Sequence, residues 1–159
     1  MNKLYGFEVR HATEKDIPDI IRITREAFLK YCELSKVSQN IEALNETVED
    51  IKRDIETKEV YVAFIDDVPV GSVRVEIFED NHAYLSRFGV REDYQNNGIG
   101  KILMNVVDTS MRQKGVKQIE LHTASSFCSL VRFYYGRGFY IEEVKTDRGY
   151  LRAKLVKQY

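Results

Sequence analysis

The chain has 159 residues, a formal net charge of −1 and an ordinary apolar share of 43%. That length suits one domain, 1–159, with a sizeable core, and the balanced charge supplies no general attraction to nucleic acid or to an anionic membrane. No apolar run is long enough to span a bilayer, and the start, Met1 to Phe7, lacks the apolar core of a signal peptide, so the expected location is the cytoplasm.

Taken in order, Phe7 to His11 alternates weakly and predicts a strand. Ala12 to Asp16 is a turn into a first helix, with Thr13 or Asp16 as cap and Pro18 tolerable in the first turn. Ile17, Ile20, Ile21, Ile23, Thr24, Ala27 and Phe28 make its buried side. Lys30 to Asn40 is polar and mixed and is expected to be a loop or a broken helix. Ile41 to Glu56 predicts a second helix, with Leu44, Val48, Ile51 and Ile55 at helical spacing. Cys32 and Cys128 have no metal-ligand spacing and make no disulfide framework, so two free thiols and no metal are expected.

Val60 to Ile65, Val68 to Phe78 and His82 to Val90 predict three strands joined by Asp66-Asp67 and Glu79-Asp80-Asn81, an antiparallel meander. In the second, Val73, Val75 and Ile77 share one face and Arg74, Glu76 and Phe78 the other. The third feeds a polar loop and a helix. Ile99, Leu103, Val106, Val107 and Ser110 recur on one helical face. Asn96 or Asn97 is expected to cap its start, and Gly115 to supply a left-handed stop. Gly98 and Gly100 lack a Cβ, so a ligand can approach the backbone where first-turn N–H groups have no partner. Such a helix start is a cradle for a phosphate or pyrophosphate.

Gln118 to Thr123 then predicts a strand, and the strand–helix–strand unit implies a parallel pair with a right-handed crossover. Ser129 to Arg137 is a short helix stopped by Gly138. Phe139 to Lys145 and Tyr150 to Lys157 form a hairpin through Asp147-Arg148-Gly149, with Tyr150-Leu151-Arg152 as an edge strand. The fold class is α/β (an α+β mixed sheet): about seven mostly antiparallel strands with helices on both faces.

Two segments carry a family likeness. Val90-x-x-x-Tyr94-Gln95-x-x-Gly98-Ile99-Gly100 resembles motif A of the GNAT acetyltransferase superfamily, and Leu130-x-x-Phe133-Tyr134-x-x-x-Gly138-Phe139 resembles its later A-x-x-L-Y-E-K-L-G-F motif. Val9-Arg10-x-Ala12-Thr13-x-x-Asp16 is similar to the family's first strand and turn. Glu92, Gln95, Asn96 and Phe127 stand where the family more often has proline, arginine, glycine and asparagine. The resemblance implies that the two parallel strands splay at a bulge near Phe88-Gly89, leaving a V-shaped cleft for the arm of acetyl-coenzyme A. It implies a pyrophosphate held by the backbone of Gln95, Asn96, Asn97, Gly98, Ile99, Gly100 and Lys101, and a pantetheine arm paired with Phe88 and Val90 in the manner of an added strand.

The function that follows is N-acetyltransfer from acetyl-coenzyme A to a primary amine of a small molecule or a peptide, by direct attack. The leaving thiolate needs a proton, and the motif puts Tyr134 there; neighbouring Tyr135 points to a different helix face. A protonated amine also needs a base. Candidates are His122, beside the expected cleft and able to titrate in the useful range, and Glu76, with Glu79, His82, Glu120 and a water chain as further possibilities. Arg132 and Arg137 could reach phosphates, although a solvated helix face explains either. The alternatives are a non-catalytic acyl-coenzyme A sensor and a nucleotide-binding regulatory domain; the latter lacks a metal-binding Ser or Thr after Lys101. An edge strand offers a route to a homodimer.

Overall fold

A computed structural model describes residues 6–159. Most of the Met1 to Phe7 stretch, on which the expectation of no signal peptide rests, lies outside the described residues. The strands are β1 (Phe7–His11), β2 (Glu59–Ile65), β3 (Val68–Ile77), β4 (His82–Val90), β5 (Gln118–Ala124), β6 (Tyr140–Lys145) and β7 (Arg152–Gln158). The helices are α1 (Ile17–Ser35), α2 (Val48–Thr57), α3 (Ile99–Gln113) and α4 (Cys128–Gly136). The strands form one sheet in the order β1-β2-β3-β4-β5-β7-β6, antiparallel except for β4 against β5. β7 is therefore an interior strand, not the expected edge. Tyr150 and Leu151 precede it, and β6 is the edge.

Strand alternation divides the core. Val60, Val62 and Phe64 point to the face covered by α1 and α2, where they meet Ile17, Ile20, Ile23 and Ile51. Tyr61, Ala63, Val73, Val75, Leu85, Ile119, Leu121 and Leu155 point to the opposite face and pack with Leu103, Met104, Val107 and Met111 of α3 and with Tyr134 of α4. Apolar burial on both faces of the sheet is the main stabilising term of such a layered domain. No helix among the described residues is long and apolar enough to cross a membrane.

Three local expectations change. α1 runs on through Lys30 to Ser35 because Cys32 and Ser35 turn to the buried side, and it stops at Lys36, whose φ is 60°. The second helix is split. Glu42–Leu44 make a single 3-10 turn, and α2 begins only at Val48. Thr47 is the break: it is extended, its hydroxyl accepts the Asp50 N–H at 3.1 Å, and the Asp50 carboxylate accepts the Thr47 N–H at 2.9 Å. That reciprocal pair is a capping box, which fixes a helix start where periodicity alone shows continuity. Third, the N-cap of α3 is Gly98, at φ 81°, and no side chain caps it. Asn96 is itself left-handed at φ 68°, so the turn consumes it rather than leaving it as a cap. The stop is as expected. Gly115 has φ 74°, and the Val116 N–H reaches back to the Met111 carbonyl at 3.0 Å.

Arg74 does not lie on a solvated face. It is fully buried. Its two terminal nitrogens meet Glu46 at 2.6 and 2.9 Å, and one of them also meets Asp54 at 2.9 Å. Glu46 lies between the 3-10 turn and α2, and Asp54 on α2, so a single β3 guanidinium fastens this whole segment to the sheet.

β4 and β5 pair only from His82 to Tyr84 against Gln118 to Glu120. Beyond that they part. β4 carries an irregularity against β3 at this point: Gly89 pairs with Ser72 and Ser86 with Arg74, so Arg87 and Phe88 together oppose Val73. Arg87 has φ 52°. A bulge of this kind bends its strand and increases its twist, which turns β4 away from β5. Gly89 lies under α1, where an added Cβ would come within 2.7 Å of the Ala27 Cβ. The close crossing of helix and bulged strand therefore depends on glycine there.

Candidate active site

The parting of β4 and β5 opens a cleft of about 1300 Å³. Its walls are the C-terminal half of α1 and the loop after it, the bulged end of β4, the start of α3, β5, α4 and the β6–β7 turn. Eleven of the twelve residues expected at a site line it; Asn97 does not. The residue set separated along the chain by more than 50 positions thus converges on one cavity.

At one end stands the start of α3. A Cβ on Gly98 would meet nothing within 4 Å, so the backbone there is open. Gly100 differs from expectation. Its Cβ would lie 3.1 Å from Cζ of Phe88 and 3.5 Å from Cζ of Phe133. Those two rings stack at 5.5 Å with an interplanar angle of 15°. Gly100 therefore lets an aromatic pair pack on the first helical turn. Ile99 turns its side chain into the core and leaves only its backbone for a ligand. The exposed Gln95 turns its amide inward, donating to the Val90 carbonyl at 3.0 Å, so that carbonyl already has one partner. Lys101 is exposed and makes no ion pair or hydrogen bond among the described residues. A helix N-terminus with an open backbone and an uncommitted ammonium suits an anion. Glu26 of α1 ties down the approach to this loop, accepting the Glu92 N–H at 2.6 Å.

In the middle stands Tyr134. It is 4% exposed, with ring neighbours Phe88, Phe133 and Phe139 at 6.0, 5.6 and 5.6 Å. Burial pushes its phenol well above the ordinary value, so it stays protonated throughout the neutral range. Its hydroxyl makes no hydrogen bond among the described residues. Tyr135 is half exposed, and its hydroxyl accepts the Ile141 N–H at 3.0 Å, a structural contact of the α4–β6 corner.

At the far end, His122 and Tyr84 meet across the splay. Tyr84 Oη lies 2.7 Å from His122 Nδ1. Burial, then the nearby Arg152, push the His122 imidazolium below its ordinary value, with Lys154 and Arg148 adding to the effect and Glu120 opposing it. The ring is therefore neutral at pH 7. Glu76 lies at the rim, 44% exposed and 3.9 Å from the Lys58 ammonium. Of the other carboxylates and imidazoles considered, Glu120 is held by Lys154 at 3.1 Å, while Glu79 and His82 are exposed and do not line the cleft. Arg132 and Arg137 do not line it either, and Arg137 instead reaches Asn105 at 3.4 Å.

Sequence reasoning missed Tyr84, Tyr31 and Arg152. The Tyr31 hydroxyl accepts the Ala124 N–H at 2.8 Å and so bridges α1 to the end of β5. Alternation from the core residues Ala83 and Leu85 would have put Tyr84 on the other face, but its pairing with His122 depends on the β4–β5 register, which no local pattern carries.

The Acetyltransferase (GNAT) family model matches residues 19–139. The chain is 25% identical over 162 residues to the mycothiol acetyltransferase of Propionibacterium freudenreichii subsp. shermanii, covering 94% of this chain and 47% of that protein. It is 30% identical over 81 residues to the spermidine N(1)-acetyltransferase of Thermoplasma acidophilum, covering 51% of this chain and 50% of that one. The chain thus spans about half the length of each of these two relatives. Among solved structures, the PaiA N-acetyltransferase of Thermoplasma acidophilum in complex with coenzyme A superimposes with a TM-score of 0.82 at 21% identity, covering 96% of this chain and 99% of that one. The ribosomal-protein-S18-alanine N-acetyltransferase of Escherichia coli follows at 0.77 and 14%, covering 96% and 93%. A seven-stranded sheet with one splayed parallel pair, the glycine-opened start of α3 and the family match over most of the length lead to one conclusion: the chain belongs to the GNAT family of acetyltransferases.

Proposed function

We propose that the protein transfers an acetyl group from acetyl-coenzyme A to a primary amine by direct attack. The observation that carries this reading is the single cleft joining an open helix N-terminus, a protonated and unpartnered buried phenol, and a neutral imidazole. The coenzyme A complex of the PaiA N-acetyltransferase supports the choice of cosubstrate.

The residues divide the work. The backbone of Gln95 to Lys101, with the Lys101 ammonium, holds the pyrophosphate. The edge of β4 at Phe88 and Val90, which has no partner in β5, runs beside the pantetheine arm. As the amine nitrogen bonds to the thioester carbon, its proton passes to His122. The resulting tetrahedral species breaks its carbon–sulfur bond, and the sulfur takes the Tyr134 proton. For His122 to accept at Nε2, Nδ1 must carry its hydrogen and donate it to Tyr84 Oη. The 2.7 Å contact allows that tautomer.

Two results test this reading. Coenzyme A should raise Tm by an amount set by ligand concentration over Kd, and acetyl-coenzyme A with an amine should release free thiol. A thermal shift with no turnover of any amine would favour a non-catalytic sensor. Gly100→Val should lower stability by about 1–3 kcal/mol through crowding of Phe88 and Phe133. Because these rings line the cleft, it should also reduce the coenzyme A shift; an undiminished shift places the ligand elsewhere.

Activity should fall on the acid side. His122 is held below its ordinary value, so it is neutral at pH 7 and becomes protonated, and useless as a base, as pH drops through its folded value. The unfolded chain takes up that proton first, so stability declines in the same direction below about pH 6.5. His122→Ala should lower kcat by about 10²-fold or more and displace the acid limb of the rate profile. If the limb stays in place and Glu76→Gln removes it, the base is Glu76.

A further inference from the structure

The half of the cleft around Tyr84 and His122 is more cationic than an amine acceptor by itself would call for. Ala83, Leu85, Ile119, Leu121, Ala153 and Leu155 all pack into the core beneath α3. Alternation then puts Tyr84, Glu120, His122, Arg152 and Lys154 together on the opposite face. The register agrees, with Lys154 opposite His122 and Arg152 opposite Ala124.

Nearly every charge on this face has a counter-charge. Lys154 lies 3.1 Å from Glu120 and 3.0 Å from Glu142. Arg87 lies 3.2 Å from Glu46, and Arg148, in the β6–β7 turn, lies 3.9 Å from Glu42. The other acidic residues lining the cleft are also matched: Asp54 by Arg74 and Lys58, and Glu76 by Lys58. Among the residues on the sheet itself Arg152 is the exception; the other cleft cations without a partner among the described residues, Lys36 and Lys101, lie off the sheet and are exposed. Arg152 lines the cleft and is partly buried, yet it makes no ion pair or hydrogen bond among the described residues. It is also the strongest charge acting on both His122 and Tyr84. A guanidinium whose five donors have no protein acceptor is free to take one from a ligand. Its planar fork matches a carboxylate in two parallel hydrogen bonds.

We propose that the acceptor is a primary amine that also carries a carboxylate, and that Arg152 binds this carboxylate while the amine faces His122. The proposal rests on the reading of the chain as an amine acetyltransferase and names its substrate class. Arg148 stands as a second cation on the same side. Charge also works against the wrong acceptor. The second ammonium of a diamine would meet the unpaired Arg152 in place of a carboxylate, and like-charge placement of this kind is how a site rejects a competitor. The same field favours the uncharged form of the attacking amine, which is the form that reacts.

The test is thiol release from acetyl-coenzyme A with matched acceptors of two lengths: propylamine, β-alanine and diaminopropane, then hexylamine, aminocaproate and hexamethylenediamine. In at least one series the carboxylate member should exceed the other two in kcat/KM by about 10–100-fold. Arg152→Gln should erase most of that ratio through KM, whereas Lys15→Gln, the same loss of charge on the exposed turn before α1, should leave it intact. Preference for the uncharged or the dicationic member in both series, or a ratio that survives Arg152→Gln, overturns the proposal and leaves the transferase reading standing. Turnover of none of the six by a protein that coenzyme A still stabilises overturns both.

Discussion

Tyr134→Phe is expected to lower kcat by about 10²–10⁴-fold, the span of general acid assistance, while leaving coenzyme A affinity within about twofold. The variant deletes one oxygen and keeps the ring. Phe88, Phe133 and Phe139 surround that ring, so the packing survives, and the hydroxyl has no internal hydrogen bond to lose. The protein should therefore melt near the parental temperature, because neither ring packing nor an internal hydrogen bond is lost. Loss of rate without loss of fold or of ground-state binding identifies an interaction made only as the sulfur gains charge. Burial raises the phenol pKa, which holds the proton in place through the neutral range, so this residue should add no basic limb to the rate profile below about pH 10. Tyr135→Phe is the control. It removes only the acceptor for the Ile141 N–H on the protein surface, and its kcat should match the parent. Parental turnover in Tyr134→Phe, or a crippled Tyr135→Phe, would refute the assignment. Steady-state kinetics with calorimetric titration of coenzyme A decides it.

Arg74→Met should be the most destabilising single change outside the apolar core, at about 3–5 kcal/mol. Arg74 has no exposed surface, and its removal leaves the Glu46 and Asp54 carboxylates facing each other with only Arg87 and Lys58 as remaining cations. For a domain of this size each kcal/mol moves Tm by about 2–4 °C, so melting should fall by roughly 10 °C. Urea denaturation supplies the free energy. The double variant Arg74→Met, Glu46→Gln should recover part of the loss, since it withdraws one of the stranded charges. A coupling of about 0.5–3 kcal/mol is the expected size for groups in direct contact. A purely additive pair would mean that the two side chains do not act together. The functional consequence is separate. Glu46 anchors the segment that follows Ile41, Glu42 and Ala43, three residues of the cleft wall. Loosening that wall should raise KM for the acceptor more than it weakens coenzyme A, whose expected seat at α3 lies on the other side of the sheet's parting.

Much of the architecture was written locally. The β4 boundaries, His82 to Val90, follow from alternation and turn residues, and the structure reproduces them. The stop at Gly115 follows from the conformational freedom of glycine where a left-handed residue must end a helix. The order strand, loop, helix, strand predicted the one parallel pair, because a crossover helix returns the chain in the same direction. The positions that the family resemblance singled out, Phe88, Val90, Tyr134 and all of Gln95 to Lys101 except Asn97, line one cavity.

What the chain could not show by itself was set by groups far apart in sequence. Periodicity ran unbroken from Ile41 to Glu56, because a hydrophobic pattern does not register the reciprocal hydrogen bonds by which Thr47 and Asp50 restart a helix. Arg74 alternates like a solvent-facing residue. Only the folding of α2 over β3 brings in its partners, 20 and 28 residues away, and turns an exposed charge into a buried clasp. His122 was legible as a cleft residue, but its protonation was not: that depends on burial and on Arg152 from another strand, and its tautomer on Tyr84, 38 residues away. Local patterns fix which side of a strand or helix is apolar. Register, and therefore which charges of the sheet meet and which are left without a partner, is decided only when the strands are laid side by side.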